Sequence, residues 1–91
     1  MTSGLEYVYQ PPREYPALSR RMGEEGTVTL RILVNEKGRV ENVDIRKSSG
    51  TPRLDEAARL WALRVVFKPY TENGKPVPMY AILPVAFNLD N

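Results

Sequence analysis

Ninety-one residues, 42% of them apolar, suffice for one small domain around one modest core. Thirteen basic and eleven acidic residues are interleaved to a net charge of +2, which excludes the concentrated basic footprint of a nucleic-acid binder. There is no cysteine and no histidine, so disulfides, thiolate chemistry, the commonest general base and the commonest metal ligand are all missing.

No apolar run reaches the roughly 18 residues that span a bilayer, and no signal-peptide pattern opens the chain. Met1, Thr2, Ser3 and Gly4 read as a remnant of cloning, and on that expectation the chain would be a domain cut from a longer protein. Residues 1–14 show no usable periodicity and are expected to be this remnant and the end of an extended linker. Pro11 and Pro12 fix their own φ and push their predecessors out of the helical region. The folded domain is expected over residues 15–90.

A short helix is expected from Pro16 to Met22, with Pro16 at its first position and Gly23 as its stop. From Gly26 to Val34 the chain alternates strictly: Val28, Leu30, Ile32 and Val34 point one way, and Thr27, Thr29 and Arg31 the other. That is a half-buried strand. Asn35 to Gly38 is a hairpin turn, and Val40 to Lys47 returns as a second strand whose alternation breaks once, the mark of a bulge. Thr51 is a candidate helix cap with Pro52 at the first helical position. A helical stretch runs from Leu54 to Val66, and Leu54, Ala57, Ala58, Trp61 and Val65 make a single core-facing stripe along it. Leu60 and Leu63 lie off that stripe, as a second surface or a small exposed apolar patch. After a turn at Asn73, Gly74, Lys75 and Pro76, a third strand runs from Met79 to Leu89. Both of its alternating sets are largely apolar, which predicts cover on more than one side.

The order is α-β-β-α-β, an α+β domain. The hairpin makes the first two strands antiparallel, and the long helix permits a parallel crossover from the second to the third. A three-stranded sheet satisfies both if the first strand is central, in spatial order 2-1-3, with both helices on one face. The third strand is then an edge, which Pro84 supports. A free edge is a row of unpaired N–H and C=O groups ready to pair with another peptide, or with the same strand of another copy. Pro84 removes one donor, so pairing there should be interrupted or shifted. A monomer is expected while the N-terminal segment is present, with an edge-paired dimer at high concentration or after truncation.

Nothing assembles into a catalytic constellation, and no enzyme activity and no cofactor are expected. Neighbours such as Glu24 and Glu25, or Asp55 and Glu56, do not face each other on a helix, and first-turn acids are ordinary complements of the helix dipole. Ser48 and Ser49 have no histidine to activate them. Arg20 and Arg21 read as a solvated face, Trp61 as core, and Gly38 and Gly74 as turn residues outside any phosphate-cradling motif.

A set of short motifs stands in one order: Tyr15-Pro16-Ala17, Glu25-Gly26-Thr27-Val28, Gly38-Arg39-Val40 with Val43, Ser48-Ser49-Gly50, Leu54-Asp55-Glu56-Ala57-Ala58, Phe67-Lys68-Pro69, Asn73-Gly74-Lys75-Pro76-Val77 and Leu83-Pro84-Val85-Ala86-Phe87. From about Tyr15 to Leu89 the chain resembles the C-terminal periplasmic domain of the TonB family of energy transducers. The resemblance implies an inner-membrane anchor coupled to a proton-driven motor of the ExbB/ExbD type, and a proline-rich spacer across the periplasm. It also implies a domain that captures the TonB box of outer-membrane receptors by strand pairing, for uptake of iron-siderophore, haem or cobalamin. The implied peptide-binding edge is Met79, Tyr80, Ala81, Ile82, Leu83, Val85 and Phe87. The implied receptor-proximal segment is Gln10, Pro11, Pro12 and Arg13, which departs from the glutamine-flanked version of the family. Val65 stands where the family often carries an aromatic, and Trp61 lies one helical turn earlier on the same face. The alternative reading is a TolA-like interaction domain for envelope integrity, which uses the same edge-pairing mode. Peptide specificity separates the two.

Overall fold

A computed structural model describes residues 5–90; the expected cloning remnant lies outside them. Tyr7–Tyr9 form a short strand, β1, and Ala17–Arg21 a short helix, α1. β2 (Gly26–Val34) and β3 (Val40–Lys47) make the hairpin, and α2 covers Pro52–Arg64. β4 (Val66–Phe67) follows directly, β5 (Thr71–Glu72) and β6 (Lys75–Pro76) form a small hairpin, and β7 (Met79–Phe87) closes the domain.

The main sheet has the order β3-β2-β7, the predicted 2-1-3 arrangement. β2 is antiparallel to both neighbours, so β3 and β7 run parallel to each other across it, and α2 is the crossover between them. The alternation of β2 decides what is buried: Val28, Leu30, Ile32 and Val34 are at most 1% exposed. They meet Ala81, Leu83, Val85 and Phe87 of β7 on the same face. α2 lays Leu54, Ala58, Trp61 and Ala62 on that face, and Val65, its C-cap, is buried there too. Tyr15, just ahead of α1, packs on the same side and stands edge-on to Phe87 with ring centroids 5.4 Å apart. The opposite face carries no helix. Thr29, Arg31 and Leu33 are half-buried there and Tyr80 is 53% exposed, so the expected cover of β7 on more than one side is not found.

The element ends show where local chemistry prevailed over pattern. α1 is one residue shorter at each end than predicted, because Pro16, with ψ 134°, is its cap and not its first helical residue. β3 has two register shifts against β2, not one, with Glu41 and Arg46 as the extra residues. Thr51 does cap α2, but through its backbone alone; its side chain makes no capping bond. The Asp55 side chain instead reaches back to the loop ahead of the cap. Its carboxylate accepts the Ser49 N–H at 2.9 Å, the Ser49 hydroxyl at 2.8 Å and the Ser48 hydroxyl. Burial works to raise the Asp55 pKa, but these donors outweigh it and hold the carboxyl below its ordinary value.

Gly38 shows why its turn must be glycine. Its φ is +82°, and a Cβ there would lie 1.8 Å from the Phe67 carbonyl oxygen. The close approach is used, since the Phe67 N–H donates to the Gly38 carbonyl at 2.8 Å and so ties β4 to the hairpin. Asn73 and Gly74 both have positive φ, the two-residue turn that suits a tight hairpin between β5 and β6.

Residues 5–14, expected as linker, are extended but not detached. β1 pairs antiparallel with β4, and Tyr7 stacks on Phe67 at 4.9 Å. Leu5 packs against the core, and the Lys68 N–H donates to the Glu6 carbonyl at 2.8 Å.

Candidate functional site

The candidate site is the outer edge of β7, with which no strand among the described residues pairs. Which backbone groups it offers follows from β2. The Asn35 N–H donates to the Arg39 carbonyl across the hairpin, so the odd-numbered residues of β2 face β3 and the even-numbered ones face β7. Leu30 therefore exchanges bonds with Leu83, and Val28 with Val85. The backbone groups of Tyr80, Ile82, Pro84 and Ala86 then point away from the sheet. Pro84 fits this assignment, because an edge proline costs the ladder nothing when its nitrogen faces outward.

This divides the expected edge residues. Tyr80 and Ile82 present both N–H and C=O to an incoming strand. Met79, Ala81, Leu83, Val85 and Phe87 turn their backbone to β2, and the side chains of the last four are core. Outside the expected set, the Pro84 and Ala86 carbonyls and the Ala86 N–H also face outward. The signal that finds them is the two-residue period counted from Pro84. The donors of the edge are thus Tyr80, Ile82 and Ala86, with a gap at Pro84.

Beside the edge, on the open face, the Arg31 guanidinium lies 4.0 Å above the Tyr80 ring and 3.9 Å from the Asp44 carboxylate. The guanidinium thus bridges the Tyr80 ring and the Asp44 carboxylate on the open face.

The structure also brings the Gln10 to Arg13 segment to this edge. Trp61, buried at 5% exposure, donates its indole N–H to the Pro11 carbonyl at 2.7 Å. Pro11 is buried, while Gln10, Pro12 and Arg13 are exposed. The Arg13 guanidinium sits 4.6 Å from the Trp61 ring and donates to the Ala86 carbonyl at 3.2 Å. Trp61 therefore anchors the N-terminal segment, and Val65, one turn later, is itself buried in the core at 1% exposure.

An open groove of about 600 Å³ lies between that segment and α2, lined by Pro12, Tyr15, Pro16, Leu60, Trp61 and Arg64. Leu60 and Leu63, off the helical stripe, are indeed exposed, at 50% and 39%. The carboxylates that might have suggested acid–base work are held by arginines. Arg53 grips Glu24 at 2.6 Å and Arg59 grips Glu56 at 2.6 Å, and each guanidinium holds its carboxyl below the ordinary range. Among the described residues no group of three His, Cys, Asp or Glu side chains is placed to hold a metal.

The family model for the Gram-negative bacterial TonB protein C-terminal matches residues 11–89. The chain is 38% identical over 84 residues to Protein tonB2 of Pseudomonas aeruginosa, covering 92% of this chain and 31% of that protein. It is 55% identical over 69 residues to Protein TonB of Neisseria meningitidis serogroup C, covering 74% of this chain and 25% of that protein. The chain thus spans a third or less of these two relatives. The fold is similar to the solution structure of the Pseudomonas aeruginosa TonB CTD, with a TM-score of 0.80 at 22% identity over 98% of this chain and 90% of that one. It is also similar to the Helicobacter pylori TonB-CTD, with a TM-score of 0.61 at 25% identity over 87% and 83% of the two chains.

Proposed function

This chain belongs to the family of the Gram-negative bacterial TonB protein C-terminal, and on that premise we propose that it is the receptor-engaging domain of a TonB-type energy transducer. It works in the periplasm as the end of an inner-membrane-anchored protein, driven by an ExbB/ExbD-type motor. It captures the TonB box of outer-membrane receptors and passes on force for uptake of iron-siderophore, haem or cobalamin.

The observation that carries this reading is the unpaired outer edge of β7, with outward donors at Tyr80, Ile82 and Ala86 on a strand whose other edge is fixed by nine register pairs to β2. An extended peptide adds a strand there by main-chain bonds, each contributing roughly 0.5–1.5 kcal/mol net. Because backbone makes the bonds, sequence variation in the peptide is tolerated, as a domain serving several receptors requires. β7 is also suited to load. It is continuous with the core through Leu83, Val85 and Phe87, so a pull on a paired strand acts on the whole sheet rather than on a loop.

The test is a titration of the labelled chain with a TonB-box peptide, followed by backbone amide shifts. The expected shifts cluster at Tyr80, Ile82 and Ala86 and at Gln10 and Arg13. No perturbation at millimolar peptide sinks the reading and brings forward a TolA-like partner, to be tried on the same edge.

A further inference from the structure

The Ala86 carbonyl is one of the acceptors that a docked strand would use, yet in the free chain it is taken. Arg13 donates to it at 3.2 Å and rests against the Trp61 ring at 4.6 Å. Both contacts are weak substitutes for an anion. Arg13 makes no ion pair with any described residue, while the acids Glu24, Asp44 and Glu56 are each matched to another arginine. A guanidinium carries five donors in a rigid fork that fits a carboxylate two bonds at a time. Its position is held from behind, since Trp61 clamps the Pro11 carbonyl two residues earlier at 2.7 Å. The fork is therefore presented at one end of the docking edge, in contact with the very atom that an incoming strand must claim.

We infer that Arg13 is a specificity-determining residue of the β7 edge, selecting an extended peptide that carries a carboxylate next to Ala86. The incoming strand gives the Ala86 carbonyl one of its own N–H groups. The displaced guanidinium then pairs with the carboxylate of the same strand, one hydrogen bond being replaced by another and the unmatched cation gaining a counter-charge. A peptide without the acid must displace Arg13 with nothing in return, or stop short at Pro84. This rests on the docking reading above and adds a side-chain preference to it.

The probe is a set of blocked hexapeptides of alternating threonine and valine, with glutamate at the first position, glutamate at the last position, or glutamine at both. The end blocks leave glutamate as the sole carboxylate, and the two placements cover either strand direction. Amide shifts give dissociation constants for the intact chain, for Arg13→Gln, and for the charge-matched control Arg46→Gln on the opposite edge of the sheet. One glutamate peptide should bind about two- to fivefold tighter than the glutamine peptide, the range of an exposed ion pair. It should also move the Trp61 indole N–H signal. Arg13→Gln should abolish that advantage and keep binding of the glutamine peptide, whereas Arg46→Gln should keep the advantage. Equal affinities on the intact chain, or an advantage that survives in Arg13→Gln, overturn the inference and leave docking standing. Absence of shifts with every peptide removes the docking reading, and this inference falls with it.

Discussion

Asp55 stands in the first turn of α2 and reaches back to the loop before it, gathering three donors from Ser48 and Ser49. This orders the loop that joins β3 to the helix and so sets where the crossover begins. Removing the carboxylate leaves those donors without their acceptor, and Asp55→Ala should cost about 1–3 kcal/mol in urea denaturation. The same bonds make the contribution depend on pH. The folded carboxyl is held below its ordinary value, so the stability it adds is fully present above the unfolded pKa of about 3.9 and is lost as pH falls through the folded value. The gap between the intact chain and Asp55→Ala should therefore be constant near neutral pH and narrow below about pH 4. Comparison of the two chains isolates Asp55 from Glu24 and Glu56, whose carboxyls are also held low. A gap that does not change down to about pH 2 would show that the carboxylate is not the source of the stability.

β1 and β4 depend on each other, because strands of three and two residues cannot stand alone. Their pairing is reinforced on one side by Tyr7 on Phe67 and on the other by the Trp61 bond to Pro11. Trp61→Phe keeps an aromatic ring in the core and deletes that bond, at a cost of about 1 kcal/mol. Exchange of the Lys68 amide, which donates to Glu6, should accelerate by about fivefold, while the Leu30 and Ile32 amides inside the main sheet keep their protection. Unchanged Lys68 exchange would mean that the segment is held without the indole. Such ties also mark the limit of what could be read in the sequence. β2, α2 and β7 were legible because each repeats a period over nine or more residues, β3 because it returns from a recognisable hairpin turn, and Pro84 placed β7 at an edge. Tyr7–Tyr9 is too short to show a period, and its partner lies almost sixty residues away, so only long-range contact reveals it. The second shift in β3 was hidden for a different reason: Glu41 and Arg46 are polar residues on an exposed strand, where an extra polar residue interrupts no apolar pattern. In the site, the edge was legible, but side chains and backbone alternate together. Residues chosen for their apolar character were mostly those whose backbone faces inward.

The whole domain manages its unpaired edge by folding its N-terminal segment across one end of it. Deleting residues before Pro16 removes β1 and Tyr15, uncovers Phe67, Phe87 and Trp61, and frees the Ala86 carbonyl from Arg13. A nine-residue edge with no neighbour is a template for a second copy. The chain beginning at Pro16 should therefore self-associate in a sedimentation series at concentrations where the full chain stays monomeric. Two causes would give that result, edge pairing or contact through the newly bared apolar surface, and one substitution separates them. Ile82 turns its N–H away from β2, so Ile82→Pro deletes an outward donor without breaking the ladder, and next to the gap at Pro84 it leaves the edge too interrupted to pair. The shortened chain carrying Ile82→Pro should return to monomer, and the full chain carrying it should lose binding of a docked peptide while keeping its fold. A shortened Ile82→Pro chain that still associates would assign the association to Phe67, Phe87, Trp61 and the Leu60–Leu63 patch. A shortened chain that stays monomeric without any substitution would show that the N-terminal segment is not what keeps the β7 edge to itself.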